Sequence, residues 1–369
     1  MQETRGMRVL GCLMAITIIL ALAGVTAVQA QGSKAVPTDI PEMKLKFASF
    51  LAPMGTLAEN VKWMLREITK RTGGKVKIDE YWQEALLKDA DLTAGCGAGT
   101  TDLAAVRSTI TVDKNPCWTT IDLPGQSENL WASLMGYYEV MKSDPCIQKE
   151  FKALNVVPTY GYNSGLQFIH TKKPVKSLKD LKGLRVRTYG GAHATVLREA
   201  GMVPVFVSLA EVYEGLSRGV LDGATSVWQF TASFKYYEVA PYILLVKRMG
   251  GSIASTMFIN QDRWEKFPPS LQKIIQEVTV EFNNRYIKSL MDQDASLQKK
   301  LTAEHGAKIS QMDAEAQAVI DRGIKKAQDE WFAKYDARGI QTRPVWDRFQ
   351  SLVRKYEQDV AAKGYPWTR

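Results

Sequence analysis

Apolar and polar positions change period several times along the chain. Residues 44–50 alternate, which predicts a first strand. Residues 56–71 carry Leu57, Val61, Met64, Leu65 and Ile68 at helical spacing, and Thr72-Gly73-Gly74 stops that helix. Residues 76–81 alternate again. A short helix over 89–96 and a strand over 103–106 follow. This βαβα rhythm predicts an α/β layer structure with parallel strands. The rhythm then restarts, with strands expected over 156–162 and 167–170, a helical turn over 177–181 and a helix over 192–200. Ser208 with Glu211 forms a capping box, opening a helix whose Leu209, Val212, Tyr213 and Leu216 share one face. Gly219 closes it. From Pro268 the pattern turns helical and charged: a helix from 271 to about 304 is long enough to lie across both halves. Two more helices, 313–334 and 346–361, follow.

The two rhythms share a local signature. Gly99-Thr100-Thr101-Asp102 precedes the small-apolar run Leu103-Ala104-Ala105-Val106, and Gly219-Val220-Leu221-Asp222 precedes Gly223-Ala224-Thr225-Ser226-Val227. Each reads as a helix end, a Gly-x-x-Asp turn and a buried strand, which predicts two similar lobes.

The N-terminus stands apart. Arg5 and Arg8 form a basic start, residues 9–25 an apolar run, and Val28-Gln29-Ala30 supplies small residues where a signal peptidase cuts. This predicts a secretory signal peptide over 1–30, cleaved after Ala30, with an uncleaved anchor as the alternative. No later stretch is apolar for long enough to span a bilayer. Removing the first 30 of 369 residues leaves 339, enough for two α/β domains. Cys96, Cys117 and Cys146 remain, an odd number that allows one disulfide at most. Cys117 with Cys146 is the first pairing to test, and spacing alone does not establish it. The formal charge of +9 suits an anionic small molecule or an anionic membrane surface. Nucleic acid is not expected, because Lys and Arg are interleaved with Asp and Glu and form no basic-aromatic stripe.

Catalytic signals are weak. His170, His193 and His305 are not spaced for a metal with one another or with cysteine. In Gly161-Tyr162-Asn163-Ser164-Gly165 the serine sits one place too late for a nucleophile elbow. Gly95-Cys96-Gly97-Ala98-Gly99 falls at a helix end, so it cannot cradle a phosphate at a helix start. No Walker-type sequence, cofactor site or metal site is expected. What remains is arginine at strand ends. In Leu181-Lys182-Gly183-Leu184-Arg185-Val186-Arg187-Thr188-Tyr189-Gly190-Gly191, Arg185 and Arg187 share one strand face. Arg187 ends its strand and Arg107 leaves the strand after Asp102, where ligands of open α/β sheets sit. A planar guanidinium suits a carboxylate, with two parallel charge-assisted bonds. Arg185, further back, reads as a surface residue.

At these residues the chain resembles a known family. "LKGLRVRTYGG", "AGMVPVFVSLAEVYEGLSRGVLDGA" and "FKYYEVAPYI" resemble the DctP-type substrate-binding proteins of tripartite ATP-independent periplasmic (TRAP) transporters. "ITKRTGGKVKIDEYW", "GTTDLAAV", "FKALNVVPTYGYNSG" and "INQDRWEKFPPSLQKIIQE" fit in order, so the resemblance covers nearly all of the mature chain. It implies a two-lobed α/β periplasmic-binding-protein fold with a hinge, an interlobe cleft and a long helix spanning both lobes. The expected organisation is a flexible lead (31–42), lobe I (43–160, with 251–310 returning to it in part), lobe II (161–250), and the spanning and C-terminal helices (268–369). The implied function is periplasmic capture of an organic acid and its delivery to TRAP permease subunits, with no enzymatic step and, in the simplest case, a monomer, a dimer being the alternative. A sensory binding protein for a membrane receptor and an exported enzyme on the same scaffold are the competing readings.

The resemblance also carries residues. The family's carboxylate-binding arginine falls on Arg187. Its asparagine falls on Ser226, and a second arginine of many members falls on Gln167, so the family's charge is absent there. Arg107 stands where other members often have a different polar residue, which moves positive charge to the other lobe. Phe50 ends the first strand, Trp82 follows the second and Trp228 follows Ser226. Each is expected to face the cleft and give the ligand an apolar wall, with core packing as the plainer alternative.

Overall fold

The alternating segments near the N-terminus become adjacent parallel strands. β1 (Met43–Ser49) lies between β2 (Val76–Tyr81) and β3 (Leu103–Arg107). In this computed structural model, residues 36–108, 112–188, 190–250 and 255–369 are described. The signal peptide expected over 1–30 lies outside them, as do residues 31–35 of the expected lead. Residues 39–369 form one compact unit. No helix among the described residues is long and apolar enough to cross a membrane.

The remaining strands are β4 (Val156–Pro158), β5 (Phe168–Thr171), β6 (Arg185–Arg187), β7 (Val203–Val205), β8 (Gly223–Ser226), β9 (Tyr242–Leu245), β10 (Ser255–Asn260) and β11 (Lys308–Gln311). They form two sheets, ordered β2-β1-β3-β10-β4 and β11-β9-β5-β8-β6-β7. Each sheet has parallel strands followed by an antiparallel one: β10 against β3 in the first, β5 against β8 in the second. The result is a two-lobed α/β fold. The chain crosses between the sheets three times: over residues 159–167, after β9, and between β10 and β11.

The shared Gly-x-x-Asp signature has one physical job in both lobes. Gly99 and Gly219 take positive φ (77° and 74°), the left-handed turn that glycine adopts at least cost. Asp102 then accepts a hydrogen bond from the Lys46 N–H of β1 (2.8 Å), and Asp222 from the Arg185 N–H of β6 (3.0 Å). Each carboxylate also holds an arginine, Arg263 at 2.8 Å and Arg185 at 2.8 Å. Arg185 is therefore a half-exposed strut at the start of β6, tied to the turn before β8.

Two helices straddle the lobes. The helix Pro269–His305 has 37 residues, about 55 Å at 1.5 Å per residue. Its Leu271, Ile274, Val278, Phe282 and Tyr286 join the lobe I core, while Leu301 packs with Phe168, Trp228 and Ile243 of lobe II. The helix Ala314–Asp336 also bridges, which its sequence did not announce. Val319, Ile320 and Ile324 pack with Val196 and Leu197 of lobe II, and Phe332 enters the lobe I core.

Some elements lie beyond what periodicity can find. The helix Leu130–Ser143 buries residues on every side, so it has no apolar stripe. β10 is buried at all six positions and shows no alternation. The strand expected over 156–162 stops at Pro158, because the chain there leaves the sheet to cross between lobes. Cys117 is bonded to Cys146, and Cys96 is a buried free thiol. The bridge closes a separation of 29 residues, which on chain-entropy grounds stabilises the fold by about 3–4 kcal/mol.

Replacing Asp102 with Ala orphans a strand N–H and releases Arg263, so urea unfolding is expected to reveal a loss of about 1–3 kcal/mol. Asp222→Ala, at a more exposed turn, is expected to cost less. An unchanged unfolding midpoint for Asp102→Ala would remove the role assigned to this turn.

Candidate functional site

The carboxyl ends of the parallel strands of both sheets converge on one cavity of about 520 Å³. From lobe I come Phe50 after β1, Thr56 and Leu57 at the start of the following helix, and Ala105 to Arg107 at the end of β3. From lobe II come Arg187 at the end of β6, Thr225 and Ser226 at the end of β8, and Gln229, Phe230 and Ser233 on the next helix. The first crossover contributes Tyr160, Tyr162, Ser164 and Gln167, and Ser255 opens β10. Among the described lining residues the only ionised side chains are Arg107 and Arg187.

Arg187 is 6% exposed. Its Nε donates to the Val207 carbonyl at 3.2 Å, which fixes the guanidinium at the strand end. Its own carbonyl accepts from the Thr225 hydroxyl on the neighbouring strand (3.1 Å). Arg107 is held differently. Its guanidinium lies over the Phe50 ring, 4.6 Å from the centroid. Nε donates to Asp89 Oδ2 at 2.9 Å, and Nη2 reaches the same oxygen. Asp89 sits in the short turn Asp89–Asp91, outside the cavity lining. Its other oxygen, Oδ1, is buried with no hydrogen-bond partner among the described residues.

Gln167 and Ser226 are both buried and both reach the cavity. Gln167 Nε2 is placed 3.4 Å from His193 Nε2, which also meets the Met249 carbonyl at 3.1 Å. Burial pushes the His193 pKa down to about 4, so the ring is neutral at pH 7. A carbonyl can only accept, which assigns the single ring proton to Nε2. Ser226 Oγ donates to the Val227 carbonyl at 3.2 Å.

Of the three aromatics expected at the cleft, the structure brings only Phe50 there. Trp82 follows β2, the edge strand of its sheet, so it stands one strand away from the cleft. It packs edge-on against Phe47 (5.1 Å between centroids), and its indole N–H donates to Glu80. Trp228 begins the helix after β8 and turns into the core beside Phe168 (4.5 Å). The positions that take the cavity face of that helix are Gln229, Phe230 and Ser233. Tyr160 and Tyr162 supply the aromatic wall that the sequence did not reveal. A signal was present: the polar, glycine-flanked stretch 161–165 falls where one α/β rhythm ends and the next begins.

The cavity can hold and orient an anion. Its described lining contains no acid to pair with a base and no thiol. The one group of potential metal donors among the described residues, Cys117, Cys146 and Glu150, lies elsewhere, with both sulfurs committed to the disulfide.

Residues 47–335 match the family DctP, "Bacterial extracellular solute-binding protein, family 7". The chain belongs to the DctP family. It is 26% identical over 225 residues to the Salmonella typhimurium protein YiiZ, covering 59% of this chain and 67% of that one. Among solved structures, a TRAP periplasmic solute binding protein from Desulfovibrio salexigens superposes with a TM-score of 0.76 at 22% identity, covering 86% of this chain and 97% of that one. A TRAP solute binding protein from Rhodoferax ferrireducens, in complex with copurified benzoate, gives 0.71 at 24%, covering 86% and 99%. At these identities the structural likeness speaks for the fold. Membership in DctP makes this protein a non-catalytic solute-binding protein that works outside the cytoplasm, and not an enzyme.

The DctP cleft is backed by the long helix. Tyr160 stacks on Phe282 (4.4 Å between centroids), Asn283 accepts the Gly161 N–H (3.0 Å), and the Tyr286 hydroxyl donates to the Asn163 carbonyl (2.5 Å). One helical turn pair further on, Asp294 lies against Gly165, so close that a β-carbon there would come within 2.9 Å of Asp294 Oδ2. Gly165 also has φ +95°, so glycine is required twice over. Asp294 Oδ1 is buried with no hydrogen-bond partner among the described residues. Desolvation raises its pKa to about 7. The folded chain therefore binds a proton here that the unfolded chain releases near pH 4, so stability falls as pH rises from about 4 to about 7 and levels off above it. Asp294→Asn is expected to raise the melting temperature by a few degrees at pH 8 and by much less at pH 5. Equal shifts at both pH values would exclude this ionisation.

Proposed function

We propose that this DctP protein captures an organic acid by its carboxylate in the interlobe cavity, in the periplasm, and delivers it to a TRAP-type membrane permease. One observation carries the reading: a cavity between two lobes whose only described charges are arginines, one of them buried at a strand end. Arg187 offers a planar fork to the carboxylate, and Thr225, Ser226 and Gln167 stand beside it as hydrogen-bonding groups. Phe50, Tyr160, Tyr162 and Phe230 give the ligand's body an apolar, partly aromatic surround. The benzoate held by the Rhodoferax neighbour is an acid of this type. The first two crossovers are the natural pivots for closing the lobes over the ligand. Closure excludes water, and the charge pair counts for more in the drier cleft. A closed, loaded form also gives the permease a shape to distinguish from the empty one.

A thermal-shift screen against aliphatic and aromatic carboxylates tests the reading, since a ligand of the folded state raises the melting temperature by mass action. For the best acid, calorimetry is expected to show that Arg187→Ala weakens binding by roughly 100-fold or more, because a buried carboxylate loses its partner. Arg187→Lys keeps the charge, loses the fork and is expected to fall between. An Arg187→Ala protein that binds as tightly as the native one would overturn the assignment.

A further inference from the structure

A chain of buried polar groups runs from the cavity wall into lobe II. His170 on β5 is fully buried, flanked edge-on by the rings of Phe168 and Tyr236. Its Nδ1 lies 2.8 Å from the Ala240 carbonyl, and its Nε2 lies 2.8 Å from the Thr231 hydroxyl. Burial pushes its pKa down to about 4, so the ring is neutral at pH 7. A neutral ring carries one proton, and a carbonyl can only accept. The proton is therefore assigned to Nδ1, which leaves Nε2 to accept from the Thr231 hydroxyl. With its own proton spent, the Thr231 oxygen can only accept at its other contact, Ser226 Oγ at 3.2 Å. Ser226 has a single proton too. Among the described residues its partners are Thr231 Oγ1 and the Val227 carbonyl (3.2 Å), and both accept. Thr231 is fully buried and outside the cavity lining, whereas Ser226 is part of that lining.

We propose that His170 is a positioning residue that fixes Ser226 as a hydrogen-bond acceptor toward the cavity, so that the site prefers an acid bearing a hydroxyl or N–H donor over the same acid bearing a carbonyl oxygen in that place. His170 acts through Thr231, and only Ser226 meets the ligand. Turning the Ser226 proton toward the ligand would give up both inward acceptors and leave the Thr231 oxygen without a donor. A ligand carbonyl at Ser226 would set lone pair against lone pair, whereas a ligand donor completes the chain. The register places this acceptor near the guanidinium. Arg187 pairs with Ala224 on the adjacent strand, and alternation puts Ser226, two residues on, on the same face. The donor thus belongs close to the ligand's carboxylate. The inference rests on the carboxylate-capture reading above and adds the second functional group of the acid.

Two measurements test it. Nitrogen-15 NMR of the native protein, which has 3 histidines, reads the tautomer directly. At pH 7 His170 is expected to be protonated at Nδ1 and bare at Nε2. A proton on Nε2 would free the Thr231 hydroxyl to donate to Ser226 and would overturn the inference. Calorimetry then compares hydroxy acids with oxo acids of one skeleton: lactate with pyruvate, mandelate with phenylglyoxylate, 3-hydroxybutyrate with acetoacetate. In the pair that binds best, the hydroxy acid is expected to bind about tenfold or more tighter. Ser226→Ala is expected to weaken the hydroxy acid about tenfold and to move the oxo acid by no more than about threefold. Thr231→Val keeps the side-chain shape, releases the Ser226 proton and is expected to shrink the ratio about threefold or more, while Thr231→Ser is expected to hold it near the native value. A merely structural role for Thr231 would weaken both acids alike and leave the ratio unmoved. The inference is overturned if the oxo acid binds as tightly as its partner, or if folded Ser226→Ala or folded Thr231→Val keeps the native ratio. Should Thr231→Val not fold, the tautomer and Ser226→Ala decide. In each of those outcomes Arg187→Ala still weakens the preferred acid and carboxylate capture stands. If no acid binds and Arg187→Ala behaves as the native protein, carboxylate capture itself fails, and the tautomer still judges the direction of the hydrogen-bond chain.

Discussion

A positive charge taken out of water is the constraint on which the cleft depends. Moving a guanidinium away from solvent costs several kcal/mol unless oxygens replace the water. The Val207 carbonyl supplies one such oxygen to Arg187, and Gln167, Thr225 and Ser226 line the same cavity. An acid in the described lining would neutralise the site and defeat it. Lobe I does carry an acid nearby, Asp89, but behind Arg107, where it tempers one arginine without touching the other.

The same cleft is tied to the framework around it. The first crossover is held along one side by Asn283, Phe282 and Tyr286 of the long helix. The second is clasped at its start by Gln317, whose amide both accepts from the Lys247 N–H (3.0 Å) and donates to the Lys247 carbonyl (3.1 Å). Each of these two crossovers therefore leans on a helix that is itself rooted in both lobes. Lobe movement has to bend or slide these contacts together, which favours two discrete arrangements over a continuum, because packed side chains are not continuously deformable.

How much of this could be read from the residues depends on burial. The helix Thr56–Arg71 begins and ends where its pattern does, because it has one wet face and one dry face. Arg187 and Arg107 were legible as strand-end cations because short parallel strands deliver their last residue to the crevice. The helix Leu130–Ser143 and β10 were not legible, since total burial erases the period. Trp82 and Trp228 misled for a different reason. A residue's place in sequence says that it follows a strand, but not that the strand is an edge or that the next helix turns it inward. Asp89 was invisible as a partner of Arg107 because 18 residues separate them and only the fold brings them together.

The position of β10 has a consequence for how the protein is made. It lies between β3 and β4, so the first sheet has a gap until that strand arrives. All strands of the second sheet except the edge strand β11 precede β10 in the chain. During synthesis from the N-terminus, the lobe begun first is therefore finished after most of the other has emerged. Its closing step joins residues about 150 positions apart, a pairing that is entropically slow to find.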